Sequence, residues 1–209
     1  LGTGLGALGN DYQGQGNLAD AVGAHTESVT HRRRVLESDP DNPTYLRALG
    51  TGLGALGNDY QGQGNLADAV GAHTESVTHY RRVLESDPDN PTYLRDLGTG
   101  LGALGNDYQG QGNLADAVGA HTESVTHRRR VLESDPDNPT YLRALGTGLG
   151  ALGNDYQGQG NLADAVGAHT ESVTHYRRVL ESDPDNQRWI SELDRALQKL
   201  TDLRGTNEN

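Results

Sequence analysis

Residues 1–48, 49–96, 97–144 and 145–186 are copies of one another at a period of 48. No other feature of the chain restricts its fold as strongly. A short unit that repeats in tandem buries its apolar face against its neighbours, which yields a stacked array rather than one closed core. The first and third copies are identical. The second departs from them at Tyr80, where the first has Arg32, and at Asp96, where the first has Ala48. The fourth follows the second as far as Asn186, then gives way to QRWISELDRALQKLTDLRGTNEN. Copies this close point to recent amplification or to design, and the lack of Met, Cys and Phe favours a designed or consensus array.

Each copy carries two helical patterns. Leu46, Leu49, Leu53, Leu56 and Tyr60 recur at intervals of three and four, which predicts a helix over 43–62. Asn42 is placed to cap it, Pro43 stands at its first position, and Gly62 and Gly64 end it. Leu66, Ala69, Val70, Val77 and Leu84 predict a second helix over 66–86. Asn65 is its expected cap, and Arg81 and Arg82 are expected to favour its C-terminal end. Asp87-Pro88-Asp89-Asn90-Pro91 then stops one helix and starts the next. The fold class is therefore all-α: an α-solenoid of helix-turn-helix units, expected to wind as a right-handed superhelix. A capping helix is expected over 187–203 and a disordered tail over 204–209. In this scheme Gly50, Gly52, Gly54 and Gly57 fall inside the first helix, where each costs about 1 kcal/mol against Ala. Gly57 is explained by close approach of a second helix. The others are expected to answer to neighbouring units or to an open groove.

The glycines also spell GLGALG at 4–9, 52–57, 100–105 and 148–153, which matches the dinucleotide fingerprint G-x-G-x-x-G. That fingerprint needs a preceding strand and occurs once per cofactor site. Here it returns in every copy with no strand pattern before it, so no nucleotide cofactor is expected.

Composition narrows the function classes. Hydrophobic residues make up 33%, thin for a single core but enough for an array. A net charge of −12, from 29 acids against 17 Lys and Arg, argues against nucleic acid or an anionic membrane as partner. Absence of Cys excludes disulfides, thiol catalysis and Cys-based zinc sites. With neither a signal peptide nor a long apolar run, a cytoplasmic location is expected.

The residues Leu56-Gly57, Tyr60, Gly64, Leu66, Ala69 and Pro88 resemble the tetratricopeptide repeat, whose pattern runs W-x₂-L-G-x₂-Y, Gly, Ala, Pro over a 34-residue unit. Leu53 stands at that family's Trp position and Leu66 at its second aromatic. The segments before Leu56-Gly57 and between Ala69 and Pro88 each look one heptad longer, which turns 34 residues into 48. The resemblance covers 1–186 and is similar to tandem arrays in large bacterial signalling proteins. It implies a non-catalytic protein-interaction scaffold whose first helices line a concave groove for extended peptide.

On that face the matching positions are Thr51, Gly54, Asn58 and Gln61, with copies at Thr3, Gly6, Asn10, Gln13; Thr99, Gly102, Asn106, Gln109; and Thr147, Gly150, Asn154, Gln157. An Asn amide both donates and accepts, so an Asn ladder suits peptide backbone. No Lys or Arg is expected there, so a charged clamp is not. An invariant groove suits a repetitive peptide or none. The alternatives are therefore an idealised repeat without an evolved ligand, or a self-assembling filament. Self-association is expected to stop at a weak dimer through the N-terminal end.

The eight histidines stand at 25, 31, 73, 79, 121, 127, 169 and 175. Two in one helix are six apart, about 120° around its axis, whereas zinc helices use i, i+4. They read as structural polar positions, and no metal is expected. Arg32-Arg33-Arg34 beside Glu37-Ser38-Asp39 reads as a solvated helix end. Asp20, His25 and Ser28 cannot converge as a triad from one helix, so no catalytic site is expected.

Overall fold

Each first helix begins where Asn precedes Pro. Asn90 Oδ1 accepts from the backbone N–H groups of Thr92 and Tyr93, at 3.0 and 3.3 Å, and Pro91 occupies the position whose N–H would have no partner. The computed structural model describes residues 2–206, and the described residues form nine helices and no strand. They are α1 (Gly2–Gly14), α2 (Leu18–Ser38), α3 (Pro43–Gly62), α4 (Leu66–Ser86), α5 (Pro91–Gly110), α6 (Leu114–Ser134), α7 (Pro139–Gly158), α8 (Leu162–Ser182) and α9 (Gln187–Thr206). The helix bounds inside a copy coincide with those read from the sequence. α9 runs past the expected end at 203, with Arg204 in its last turn where the helix dipole favours a cation. Residues 207–209 of the expected tail lie outside the described residues.

The chain divides into two compact units between Gln111 and Gly112. In the first, α1 to α5 pack in sequence order, and α1 touches α3 as α3 touches α5, so the first helices form one layer. In the second, α6 to α9 likewise pack each on the next. The core lies between the second helix of one copy and the first helix of the following one. Val29 of α2 packs against Leu49, Leu53 and Leu56 of α3, and Val77 and Tyr80 of α4 against Leu97, Leu101 and Leu104 of α5. Val125 repeats this against Leu145, Leu149 and Leu152 in the second unit. A Leu side chain buried this fully contributes roughly 1.5–3 kcal/mol, so each junction rests on a handful of side chains.

Two expected helix-end roles differ. Asn65 does not cap α4 with its oxygen. Its amide nitrogen donates to Asp68 Oδ2 at 2.5 Å, and of the equivalent residues Asn161 alone also accepts from the helix end, from Asp164 N at 3.4 Å. Arg82 lies more than a turn before the end of α4. It reaches the preceding link, donating to Pro40 O at 3.1 Å and Asp41 Oδ1 at 2.7 Å. Arg178 does the same to Pro136 and Asp137. The basic run is thus partly a brace between copies, with Arg33 paired to Glu75 and Arg129 to Glu171.

The two variable positions belong together. Arg32 of α2 donates to Ala48 O at 2.5 Å and lies over Gly52, where an added Cβ would fall 2.8 Å from its Nη1. At the next junction Tyr80 fills the space over Gly50, 2.9 Å from where a Cβ would sit, and Asp96 accepts from Arg47 Nε at 2.5 Å. In the second unit Arg128 donates to Ala144 O, and Tyr176 accompanies Glu192, which Arg143 holds at 2.6 Å through two nitrogens. Two kinds of junction therefore alternate, and the interior glycines Gly50 and Gly52 each make room for one of them.

Gly64 ends α3 with φ +75°, its N–H bonded to Gln61 O and the Asn65 N–H to Tyr60 O, a two-bond helix stop that needs left-handed backbone. Gly71 is exposed inside α4 with open space around it. Gly64→Ala should therefore lower the unfolding free energy by about 1–2 kcal/mol, whereas Gly71→Ala should raise it by roughly 0.4–1 kcal/mol. Urea denaturation of the two variants beside the parent checks the opposite signs.

Candidate functional site

The first-helix layer carries polar positions that repeat on one exposed face, and their surroundings come from three helices at once. In the first unit α3 contributes Thr51, Gly54 and Asn58, α4 contributes His73, Ser76 and Tyr80, and α5 contributes Asp96 and Thr99 to a cavity of about 300 Å³. One copy earlier Thr3, Gly6, Asn10, His25, Ser28, Arg32 and Thr51 line a cavity of about 250 Å³. In the second unit Gly150, Asn154, His169, Ser172 and Tyr176 meet Glu192, Arg195 and Lys199 of α9 around about 370 Å³. The expected absence of basic residues from this face is overturned. Arg32 reaches it from the second helix, and α9 carries Arg195 and Lys199 at the positions of Thr51 and Ala55. GLGALG lies within helix in each copy, without the strand and turn a dinucleotide site requires.

The floor of each cavity is a buried histidine, and His25 and His73 each form a hydrogen-bonded pair with an aspartate that the sequence reading missed. His73, 1% exposed, donates its Nδ1–H to Asp107 Oδ2 of the next copy at 2.5 Å, and Asp107 is fully buried. His25 with Asp59 and His121 with Asp155 make the same bond at the same distance. His73 Nε2 stands 3.2 Å from Gly54 O, and the ring lies so close to Gly57 that a Cβ there would approach it to 2.5 Å. Gly57 is therefore tied to one histidine. Ser76 Oγ donates to Gly50 O at 2.7 Å and closes the same wall. The missed signal lies in the spacing: Asp59 follows Leu56 by three, on the buried stripe, and a carboxylate there needs a donor of its own.

The site residues read from the sequence divide by what they touch. Gln61 turns into the scaffold, its Nε2 donating to Asp107 Oδ1 at 2.7 Å. Gln13, Gln109 and Gln157 are half-buried. Thr51 Oγ1 bonds Arg47 O at 3.0 Å and the Tyr80 hydroxyl at 3.2 Å, and Thr147 bonds Arg143 O and Tyr176 at 3.0 Å each. Thr99 bonds Arg95 O at 2.8 Å. Burial raises the Tyr80 and Tyr176 pKa values above the phenol range, so both hydroxyls stay protonated at neutral pH. Asn10, Asn58, Asn106 and Asn154 are exposed and make no side-chain hydrogen bond within the described residues. The second histidines are not grouped with other ligands either: His79 and His175 sit 3.6 Å from Glu75 and Glu171, and burial lowers their pKa. Among the described residues no three His, Asp or Glu side chains converge on a metal-sized site, and no helix is long and apolar enough to cross a membrane.

Comparison with known proteins bears on the fold and on the kind of partner. A family model described as tetratricopeptide repeat matches residues 3–44, 50–92, 99–140 and 146–186. Two solved structures of nearly identical TPR-like repeats in a putative kinesin light chain from Podosopora anserina share this fold. One, of a substituted form of that protein, has a TM-score of 0.70 at 21% identity and covers 99% of this chain and 89% of that one. The other has a TM-score of 0.63 at 17% identity and covers 99% and 96%. No curated protein matches the chain.

Removing one partner of a buried pair leaves the other without solvation, which is worse than removing both. His73→Ala should lower the unfolding free energy by about 3 kcal/mol. The double variant His73→Ala with Asp107→Ala should fall short of the sum of the single effects by at least about 1 kcal/mol. A double-mutant cycle read by chemical denaturation checks this.

Proposed function

The chain belongs to the tetratricopeptide-repeat family, whose repeats generally mediate protein–protein interaction, and from that premise we propose that its first-helix faces bind extended protein or peptide segments through their asparagines, Asn10, Asn58 and Asn106 in the first unit and Asn154 in the second. The observation that carries this reading is the contrast on those faces. Gln61, Thr51 and Thr147 are held by hydrogen bonds of the scaffold, while the four asparagines recur in every copy, exposed, with no structural bond to explain them. An amide that offers both donor and acceptor suits a peptide group, which presents both. Thr3, Thr51, Thr99 and Thr147, with Gln13, Gln109 and Gln157, form the rim. The protein acts without catalysis, as members of this family typically do.

Because the four copies present the same chemistry, the segment they suit is itself repetitive. A second reading, an idealised repeat with no evolved ligand, draws on the same near-identity. The structurally similar repeats of the putative fungal kinesin light chain are also nearly identical, so near-identity by itself does not require design.

A peptide-library screen followed by the combined change Asn10→Ala, Asn58→Ala, Asn106→Ala and Asn154→Ala tests the proposal. Each exposed, unbonded Asn should alter stability by no more than about 0.5 kcal/mol, while each lost bond to the peptide weakens binding by about 1 kcal/mol. Calorimetry on the selected peptide should show binding lost in the combined variant and its thermal transition nearly unchanged. A peptide that binds the combined variant as tightly as the parent overturns the ladder. A library that yields no binder favours the ligand-free reading.

A further inference from the structure

The first histidine of each copy meets the same partner except in the last copy. His25, His73 and His121 are each met by an aspartate carboxylate of the following copy at 2.5 Å. One period after Asp155 stands Leu203, buried at 1% exposure. His169 is nevertheless buried, at 3% exposure, and its Nε2 has no hydrogen-bond partner among the described residues. The ring lies against Gly153 of α7, 2.7 Å from where a Cβ would sit. A buried ring without an acceptor is held at least cost while it is neutral.

The groups around His169 do not offset a charge on it. From α7 come Gly150 and Asn154, which do not titrate, while Asp155 of that helix is bonded to His121. From α8 come Ser172 and Tyr176, whose hydroxyl burial keeps protonated. From α9 come Glu192, Arg195 and Lys199. Glu192 is already held by Arg143 at 2.6 Å through two nitrogens and by Arg188 at 3.3 Å. Arg195 and Lys199 pair with no acid among the described residues. A proton on His169 therefore adds a third cation beside two unpaired ones. The helix that carries those two is lightly anchored: Leu200 and Leu203 are buried, whereas Trp189, Ile190, Leu193 and Leu197 are half-buried.

We propose that α9 is an acid-released cap: a proton taken up by His169 repels Arg195 and Lys199 and frees the helix from α7 and α8. Burial first, and then the charge of Lys199, lower the His169 pKa from 6.5 to about 4. Release solvates the ring and returns it to the ordinary value, so the released state binds the proton more tightly than the docked one. Docking of α9 thus keeps its full strength above about pH 6.5 and weakens progressively as the pH falls toward 4. The difference amounts to a loss of up to about a hundredfold in the docking equilibrium. Arg143 holds the Glu192 carboxyl below the ordinary carboxylate range, so loss of that brace belongs to a lower pH. The other first histidines lack the device, because each has an aspartate beside it to balance a charge. Release uncovers Val173 of α8, whose counterpart Val125 packs on the next first helix. None of this rests on peptide binding by the asparagines.

Hydrogen exchange of the full chain, read by mass spectrometry, tests the device. Protection of the α9 amides, corrected for the pH dependence of chemical exchange, should fall by up to about a hundredfold between about pH 7 and pH 4. Protection of α7 should fall less. His169→Gln cannot take up the proton and should remove most of the fall in α9. Leu203→Asp should do the same by placing a carboxylate where the other copies have one. Lys199→Gln removes one repelling cation from a half-buried position and should make the fall smaller, which keeps the test decisive should a buried change impair folding. Protection of α9 that does not fall with acid, or that falls no further than that of α7, overturns the proposal. So does a fall in His169→Gln as large as in the parent, or, where that variant does not fold, a fall in Lys199→Gln as large as in the parent. The asparagine variants leave these outcomes unchanged, so the two readings fail separately.

Discussion

The buried bond between a histidine of one copy and an aspartate of the next is the constraint around which the rest of each junction is arranged. It requires a histidine deep in the second helix, a carboxylate on the leucine stripe of the following first helix, and a glycine without a Cβ where the ring lies flat. His73, Asp107 and Gly57 meet all three conditions. Gln61 then satisfies the second carboxylate oxygen of Asp107. Such a pair contributes little net stability against a well-packed apolar alternative, because both groups lose their water. Its strength lies in specificity. A slip of one helix against the other would leave a charge buried with no donor, so the pair fixes register in a stack whose apolar contacts alone are few and alike.

That constraint explains which parts of the molecule could be read in advance. The bounds of α3 and α4, the Asn90 cap and the Gly64 stop follow from chemistry within a few residues of each other, and they were legible in the sequence. So was the need for space at Gly57. Asp59 was overlooked because it stands beside Tyr60 and reads as polar, although its spacing from Leu56 puts it inward. The groove assignment of Gln61 came from the angle around its own helix. Angle alone does not reveal that Asp107, on the next first helix, draws the side chain away. Asn65 bonds the side chain of Asp68 three residues on and leaves the helix end without its oxygen. Periodicity resolves the faces of one helix, whereas partners 34 to 46 residues away, as for His73 and Gln61, depend on how helices stack.

The candidate site was legible as a face and not as a set of contacts. The asparagines are exposed on it, while Thr51, Thr99, Thr147 and Gln61 bond within the scaffold. Two of its charges, Arg195 and Lys199, come from α9, a segment that the repeat pattern does not describe. A repeat's most individual chemistry thus arises where the repetition ends and the next element must match a surface built to receive another copy.

The alternation of Arg32 and Ala48 with Tyr80 and Asp96 carries a consequence for how such an array changes length. Arg47 finds its acid only at a junction of the second kind, and the guanidinium of Arg32 needs the small residue and open carbonyl of Ala48. Arg32 and Ala48 lie within one 48-residue copy and Tyr80 and Asp96 within the next, while Arg47, Arg95 and Arg143 hold the same place in each of the first three copies. Gain or loss of a whole copy therefore carries each junction's partners with it, whereas a break between positions 32 and 48 of a copy sets Arg against Asp or Tyr against Ala. Slippage in such an array is tolerated at copy boundaries and penalised inside that window.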